Sequence, residues 1–190
     1  MARFSVLLDA CVLVPVTLAD TLLRLAEADL YRPLWSTAIL DEVHQAIEII
    51  HPELADGRAH RRLDAMRGAF EDACVMDWEA LVDAIVLPDP KDRHVVAAAQ
   101  RGRADLIVTM NSKDFPEEQL QALALEVQHP DEFLLNQLDL DPEITIRTLK
   151  DQAAAGQNPT ITVPSLLERL SRCGTPRFAE AAARQLWRAS

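Results

Sequence analysis

The chain is poor in glycine, aromatic residues, cysteine and positive charge, and each shortage removes a class of function. Its 190 residues include 5 Gly, with no glycine-rich loop to cradle a nucleotide phosphate and no nucleophile elbow. The three cysteines, Cys11, Cys74 and Cys173, are odd in number and show no CxxC spacing. That argues against a disulfide framework or a zinc site and for a reducing compartment. No apolar run approaches the ~20 residues that span a bilayer, and Asp9 breaks the short apolar run near Met1, which a secretory signal would avoid. A cytoplasmic protein without a membrane partner is expected. Lys and Arg number 19 against 30 Asp and Glu, a net charge of −11, so non-specific wrapping of nucleic acid is excluded. An enzyme that acts on nucleic acid through an acidic, metal-holding site is not.

What is present is an ordinary globular balance, 49% hydrophobic and 26% charged, with room for one domain and a small appendage. Phe4–Leu8 (FSVLL) is too short for a helix and predicts a buried strand ending at Asp9. A helix is predicted over Cys11–Ala28. After a short strand at Leu34–Ser36, Ser36 is placed to cap a helix over Thr37–Ile50 that His51-Pro52 ends. Ala59–Cys74 is predicted helical, Val75–Trp78 a short strand, and Leu81–Val86 either strand or short helix. Leu87–Pro90 is a loop, Asp92–Arg101 a helix with Gly102 as its C-cap, and Leu106–Thr109 (LIVT) a clear strand. A short helix over Pro116–Ala124, a strand at Val127–His129 and a helix over Pro130–Gln137 complete the first part. Strands separated by helices imply a parallel sheet, hence an α/β fold with a three-layer α/β/α sandwich. Residues 1–137 are assigned to this domain. Residues 138–190 form a small helical C-terminal extension, with helices over Pro142–Ala155, Val163–Cys173 and Pro176–Ala189 punctuated by Asn158-Pro159 and Gly174–Pro176.

Open parallel sheets bind ligands at the carboxyl ends of their strands. Asp9 follows the first strand. Asn111 follows LIVT, with Asp114 three residues on. Asp92 opens the helix before LIVT, Asp89 lies in the loop ahead of it, and Glu42 falls in the first turns of the helix after Ser36. Gathered carboxylates repel one another, and an oxygen-preferring Mg²⁺ or Mn²⁺ relieves the repulsion. Such an ion also neutralises a phosphate and activates water, so the pattern points to metal-dependent phosphodiester hydrolysis. Each residue has a plainer role too. Asp9 and Asp92 suit helix N-termini, Glu42 a solvated helix face, Asp89 a turn, and Asn111 with Asp114 an Asx-turn.

The segments LLDACVL (Leu7–Leu13), STAILDEVHQAI (Ser36–Ile47), LPDPKDRHVVAAA (Leu87–Ala99) and ADLIVTMNSKDFP (Ala104–Pro116) resemble, in order, the motifs of PIN-domain ribonucleases. The resemblance covers about residues 1–135. It implies Mg²⁺- or Mn²⁺-dependent cleavage of RNA and, through the many bacterial members that are VapC-type toxins of type II toxin–antitoxin pairs, an antitoxin protein as partner. By position it implies that Asp9 and Asp92 hold the metal, with Glu42 the second acid and Asp89 beside Asp92. Many members carry Asp where this chain has Asn111; Asp114 then supplies the missing charge, and one firmly held ion is favoured over two.

Arg58, Arg61 and Arg62, in the basic island GRAHRRLDAMR (Gly57–Arg67), suit RNA phosphates or, equally, a solvated helix face. Trp35, Trp78 and Trp187 read as core or interface residues, Cys11 as a small buried filler and His94 as a surface residue. The C-terminal helices suit covering the sheet, forming a homodimer or contacting an antitoxin. A catalytically inactive PIN-fold module that binds RNA or protein is the alternative, favoured by Asn111. A flavodoxin-like or phosphatase-type enzyme is disfavoured, because Asp9 is followed by Ala10 and Cys11 with no DxD and there is no glycine loop.

Overall fold

The computed structural model describes residues 4–50, 57–155 and 161–189. The His51-Pro52 helix end and the Asn158-Pro159 break lie outside the described residues. Five strands form one sheet in the order β3-β2-β1-β4-β5, with β1 at Ser5–Leu8, β2 at Arg32–Ser36, β3 at Cys74–Val75, β4 at Leu106–Val108 and β5 at Glu126–Gln128. β1 pairs in parallel with both β2 and β4, and β2 with β3. The central strand is wholly apolar on both faces: Val6, Leu7 and Leu8 are fully buried. This is the expected parallel α/β sheet, and its short, unalternating strands have the composition that two covered faces require.

The strand order turns round at β1. The chain steps from β1 to β2 to β3 in one direction, then crosses back to β4 on the other side of β1. By the right-handed crossover rule, α3 (Thr37–Ile50) and α4 (Arg58–Ala69), which lead from β2 to β3, belong on one face of the sheet. By the same rule α5 (Arg93–Gly102) and α6 (Glu117–Gln121), whose connections run the other way, belong on the other, as an α/β/α layering requires. The carboxyl ends of β1 and β4 therefore flank the point where successive connections diverge, the place at which open parallel sheets form a ligand crevice.

Local chemistry explains where elements start and stop. Ser36 Oγ accepts the amide of Ile39 at 3.2 Å and caps α3, whose Ile39, Leu40, Val43 and Ile47 are buried. The helix predicted over Cys11–Ala28 is instead two, α1 at Ala10–Leu13 and α2 at Val16–Glu27, because Pro15 has no N–H to continue the ladder and adopts an extended ψ of 114°. Leu81–Val86 resolves into a 3-10 turn at Glu79–Ala84. The last predicted helix stops at Ala183, with a 3-10 turn at Leu186–Ala189.

By contacts the chain forms two compact units, residues 1–14 with 32–127, and residues 15–31 with 128–190. The cut at residue 137 was linear; these units are not, since α2 packs with the C-terminal helices. In the second unit, α7 (Pro130–Leu140), α8 (Pro142–Ala155), α9 (Val163–Arg172) and α10 (Pro176–Ala183) join α2. Thr21 Oγ1 donates to Gln152 Oε1 at 2.7 Å, and Gln152 Nε2 donates to the Thr17 carbonyl at 3.1 Å, tying α2 to α8. The buried Asp131 carboxylate accepts the amides of Arg177 and Phe178 at 3.3 and 2.8 Å, and so caps α10 from α7. Among the described residues no helix is long and apolar enough to cross a membrane.

Gly102 is not the left-handed cap expected of it. It is the last residue of α5, and Arg103 takes the left-handed position at φ 53°. The glycine is required by packing. A Cβ there would stand 2.7 Å from Val75 Cγ2 and 3.1 Å from Leu34 Cδ1, where α5 crosses β2 and β3. Gly102→Ala is therefore expected to lower stability in urea denaturation by about 1–3 kcal/mol, less the roughly 1 kcal/mol that alanine gains in a helix. Arg103→Gly is expected to raise it, since the left-handed region disfavours a side chain. The opposite pair of signs would show that the cap, not the packing, needs glycine.

Candidate active site

Asp9 leaves the end of β1 and N-caps α1, so the strand geometry and the cap both fix its side chain. Its amide donates to the Val108 carbonyl at 3.1 Å, extending the β1–β4 ladder to the rim of the crevice. Its carboxylate is nearly buried, at 9% exposure, and carries three donors. Oδ1 accepts the Ala10 amide at 2.7 Å. Oδ2 accepts the Thr109 hydroxyl at 2.7 Å and the Cys11 thiol at 3.2 Å. Thr109 in turn accepts the Asn111 amide at 3.1 Å, and Cys11 Sγ accepts the Met110 amide at 3.2 Å. Cys11 and Thr109 are also 3.3 Å apart. Five positions, two after β1 and three after β4, are thus laced to one carboxylate.

The other acids gather by charge. Asp92, at the start of α5, is pushed up to about 6 by partial burial and by the neighbouring negative charges of Asp89, Asp9 and Asp114; His94 partly counters this. These four carboxylates therefore share one field. Asp89 also accepts the Lys91 amide at 2.9 Å, the turn role anticipated for it. Glu42 reaches the group indirectly: its Oε1 lies 2.9 Å from His94 Nε2. Burial opposes a charge on His94, but the hydrogen bond and charge of Glu42, with Asp9 and Asp92, outweigh it and raise the imidazole above its ordinary value. Asn111 joins through its backbone, with its side chain exposed.

Three residues in this arrangement carry more than their sequence positions implied. Cys11 was read as a filler and is a hydrogen-bonding partner of Asp9; burial and the Asp9 charge push its thiol up to about 12, so it stays neutral. His94 was read as a surface residue; its side chain is 14% exposed and bridges α5 to Glu42. Thr109, read as the end of a strand, is the donor that joins β4 to Asp9. A polar residue directly after each of two adjacent parallel strands was the available signal.

The basic island divides. Arg58 and Arg61 lie exposed in the first turn of α4. Arg62 donates to the carbonyls of Leu13 and Val14, which satisfies the C-terminal end of α1. That engagement explains Arg62 without RNA.

The donor set is all oxygen, its members repel one another, and Asp92 holds a proton unusually well as a result. A hard divalent cation fits that chemistry. Among the described residues, no group of three His, Cys, Asp or Glu side chains stands ready as a complete ligand set. The chemistry of the donor set, and not a preformed cage, is what fits a hard cation here.

Comparison with known proteins comes from sequence. The PIN domain family model matches residues 5–113, more than half of the chain. The model of the VapC50 C-terminal domain matches residues 130–184. A curated relative, "Putative ribonuclease VapC50" of Mycobacterium tuberculosis, is 46% identical over 94 residues, which is 50% of this chain and 55% of that protein. The chain therefore spans about half the length of the curated relative it matches. No solved structure matches the chain.

Two measurements test these electrostatics. Native Asp92 binds its proton more tightly than the unfolded chain does, so between about pH 4 and pH 6 each rise in pH removes stability, and the penalty stands in full above that window. Asp92→Asn is expected to raise the melting temperature near pH 7.5, with the gain vanishing as pH falls toward 4. An equal gain at every pH would refute the shared field. Separately, Arg62→Met is expected to lower stability by about 1–3 kcal/mol, the range for a lost charged hydrogen bond. It is expected to leave the salt dependence of RNA binding unchanged, whereas a phosphate contact would reduce the log–log slope by about one.

Proposed function

The chain belongs to the PIN-domain family, and on that premise we propose that it is a Mg²⁺- or Mn²⁺-dependent endoribonuclease, the toxin of a VapC-type toxin–antitoxin pair. The observation that carries the reading is the shared field of Asp9, Asp89, Asp92 and Asp114 at the divergence of β1 and β4. The nuclease chemistry lies in the unit of residues 1–14 and 32–127, and residues 15–31 and 128–190 form the helical unit. The protein works in the cytoplasm on RNA, with an antitoxin that blocks the acidic crevice through an arginine set on the carboxylates.

Asp9 and Asp92 would hold the ion. When bound, it neutralises charge on the scissile phosphate and makes a water more acidic. The residues of the chain do the rest. Thr109, Cys11 and the Ala10 amide keep Asp9 in one rotamer, so no reorganisation is needed when the substrate arrives. Asp89 and Asp114 accept hydrogen bonds from the attacking water and direct it at phosphorus. His94 holds Glu42 at the edge of the pocket. Asn111 offers a neutral amide where a further carboxylate would add repulsion. Arg58 and Arg61 supply positive charge for the RNA backbone beyond the acidic pocket.

Purified protein is expected to cleave single-stranded RNA with Mn²⁺, and Asp9→Asn to lose on the order of 100-fold or more of that rate. Proton and cation compete for Asp92, so the rate falls as pH drops through about 6. The midpoint of that fall is expected to move to lower pH as Mn²⁺ is raised. The neutral Asn111 favours one competing reading, an inactive module that binds RNA. Unchanged RNA binding with no cleavage by either protein at any Mn²⁺ concentration would establish that reading instead.

A further inference from the structure

The two oxygens of Asp9 are not equivalent. A carboxylate oxygen has two in-plane lone pairs. Oδ2 meets two donors, the Thr109 hydroxyl at 2.7 Å and the Cys11 thiol at 3.2 Å. Oδ1 meets one, the Ala10 amide at 2.7 Å. Among the described residues, Oδ1 therefore keeps one lone pair without a donor, while Oδ2 faces a donor for each of its two. Building on the metal-dependent reading above, we infer that Cys11 is a positioning residue that makes Asp9 a one-oxygen ligand and thereby selects Mg²⁺ or Mn²⁺ against Ca²⁺.

The physical basis is the different demand of the two kinds of cation. Mg²⁺ and Mn²⁺ take a near-octahedral shell, accept single carboxylate oxygens and retain water. Ca²⁺ takes more oxygens and draws carboxylates into bidentate contact. A carboxylate with one oxygen already saturated satisfies the first and underserves the second. Cys11 suits the task because its sulfur is itself held: Met110 donates to it at 3.2 Å and Thr109 Oγ1 lies 3.3 Å away. Swinging the thiol off Oδ2 would break contacts on both sides. Alanine at this position leaves Oδ2 with Thr109 alone and opens a second lone pair to the cation. Serine retains a donor on the same stem.

The test is calorimetric titration of the full-length protein, without RNA, with Mn²⁺ and separately with Ca²⁺. Wild type, Cys11→Ala, Cys11→Ser and Thr109→Val are compared near pH 7.5. The wild type is expected to prefer Mn²⁺. Cys11→Ala is expected to shift the Mn²⁺-to-Ca²⁺ affinity ratio toward Ca²⁺ by on the order of 10-fold, the scale of outer-shell changes at metal sites. Cys11→Ser is expected to restore the wild-type ratio, and Thr109→Val, which removes the other donor, to shift it in the alanine direction. An unchanged ratio in Cys11→Ala, or equal weakening of both cations, would overturn the inference while leaving the metal-dependent reading intact. Should Cys11→Ala not fold, an unaltered ratio in Thr109→Val overturns it. A wild type that binds neither cation removes the metal-dependent reading, and this inference with it.

Discussion

The parallel pairing of β1 with β4 is the constraint from which the site follows. It sets Leu8 opposite Val108, so the first residues past each strand, Asp9 and Thr109, must emerge side by side. Because the connections from these strands leave to opposite faces, nothing in the sheet fills the gap between them. The Thr109 hydroxyl then has one nearby acceptor worth reaching, and the 2.7 Å bond to Asp9 Oδ2 closes the rim. A slip of one residue in this register would turn Asp9 toward the opposite face and dissolve the cluster. The apolar, fully buried strand Val6–Leu8 forbids such a slip, since its neighbours on both faces are matched to it. Core packing thus fixes the chemistry at one remove.

The cluster works against the fold that holds it. Partial burial and the three neighbouring carboxylates Asp89, Asp9 and Asp114 raise the proton affinity of Asp92, so its charge at neutral pH costs the folded state stability. The molecule offsets part of this locally. Asp9 is surrounded by donors, Asp89 caps a 3-10 turn, and Glu42 is paired with His94. Asp92 keeps a net upward shift even with His94 opposing it. Strain of this sort concentrates at functional sites because a ligand, not the protein, is what relieves it.

The fold was legible because its strands are short apolar runs separated by periodic helices, a pattern that only a covered parallel sheet satisfies. The acids were legible for a related reason. A charged residue immediately after such a run, as Asp9 is after FSVLL, has to stand at a strand end. What escaped notice has a different physics. Pro15 ended a helix whose apolar periodicity continued through it, and there the missing N–H overrode pattern. Gly102 invited reading as a cap because backbone freedom is the usual reason for glycine, while its real reason, Val75 2.7 Å from an added Cβ, lies 27 positions away in sequence. His94 and Cys11 take their roles from partners on other elements, Glu42 on α3 and Met110 after β4. No local pattern encodes those distances.

Asn111 shows how charge count and position trade against each other in this crevice. Its backbone amide already serves Thr109, so its place in the chain is fixed by the rim network and not by its side chain. A carboxylate on that side chain would add a further negative charge to a field in which Asp92 already resists ionisation. Asp114, three residues on and one turn of 3-10 helix away, contributes to that same field from a partly buried position. An acid at 114 in place of one at 111 leaves Asp92 facing the charges of Asp89, Asp9 and Asp114 without a further one from the residue beside the rim network. Asn111 thus leaves the negative charge of this field to Asp9, Asp89, Asp92 and Asp114 and adds none of its own.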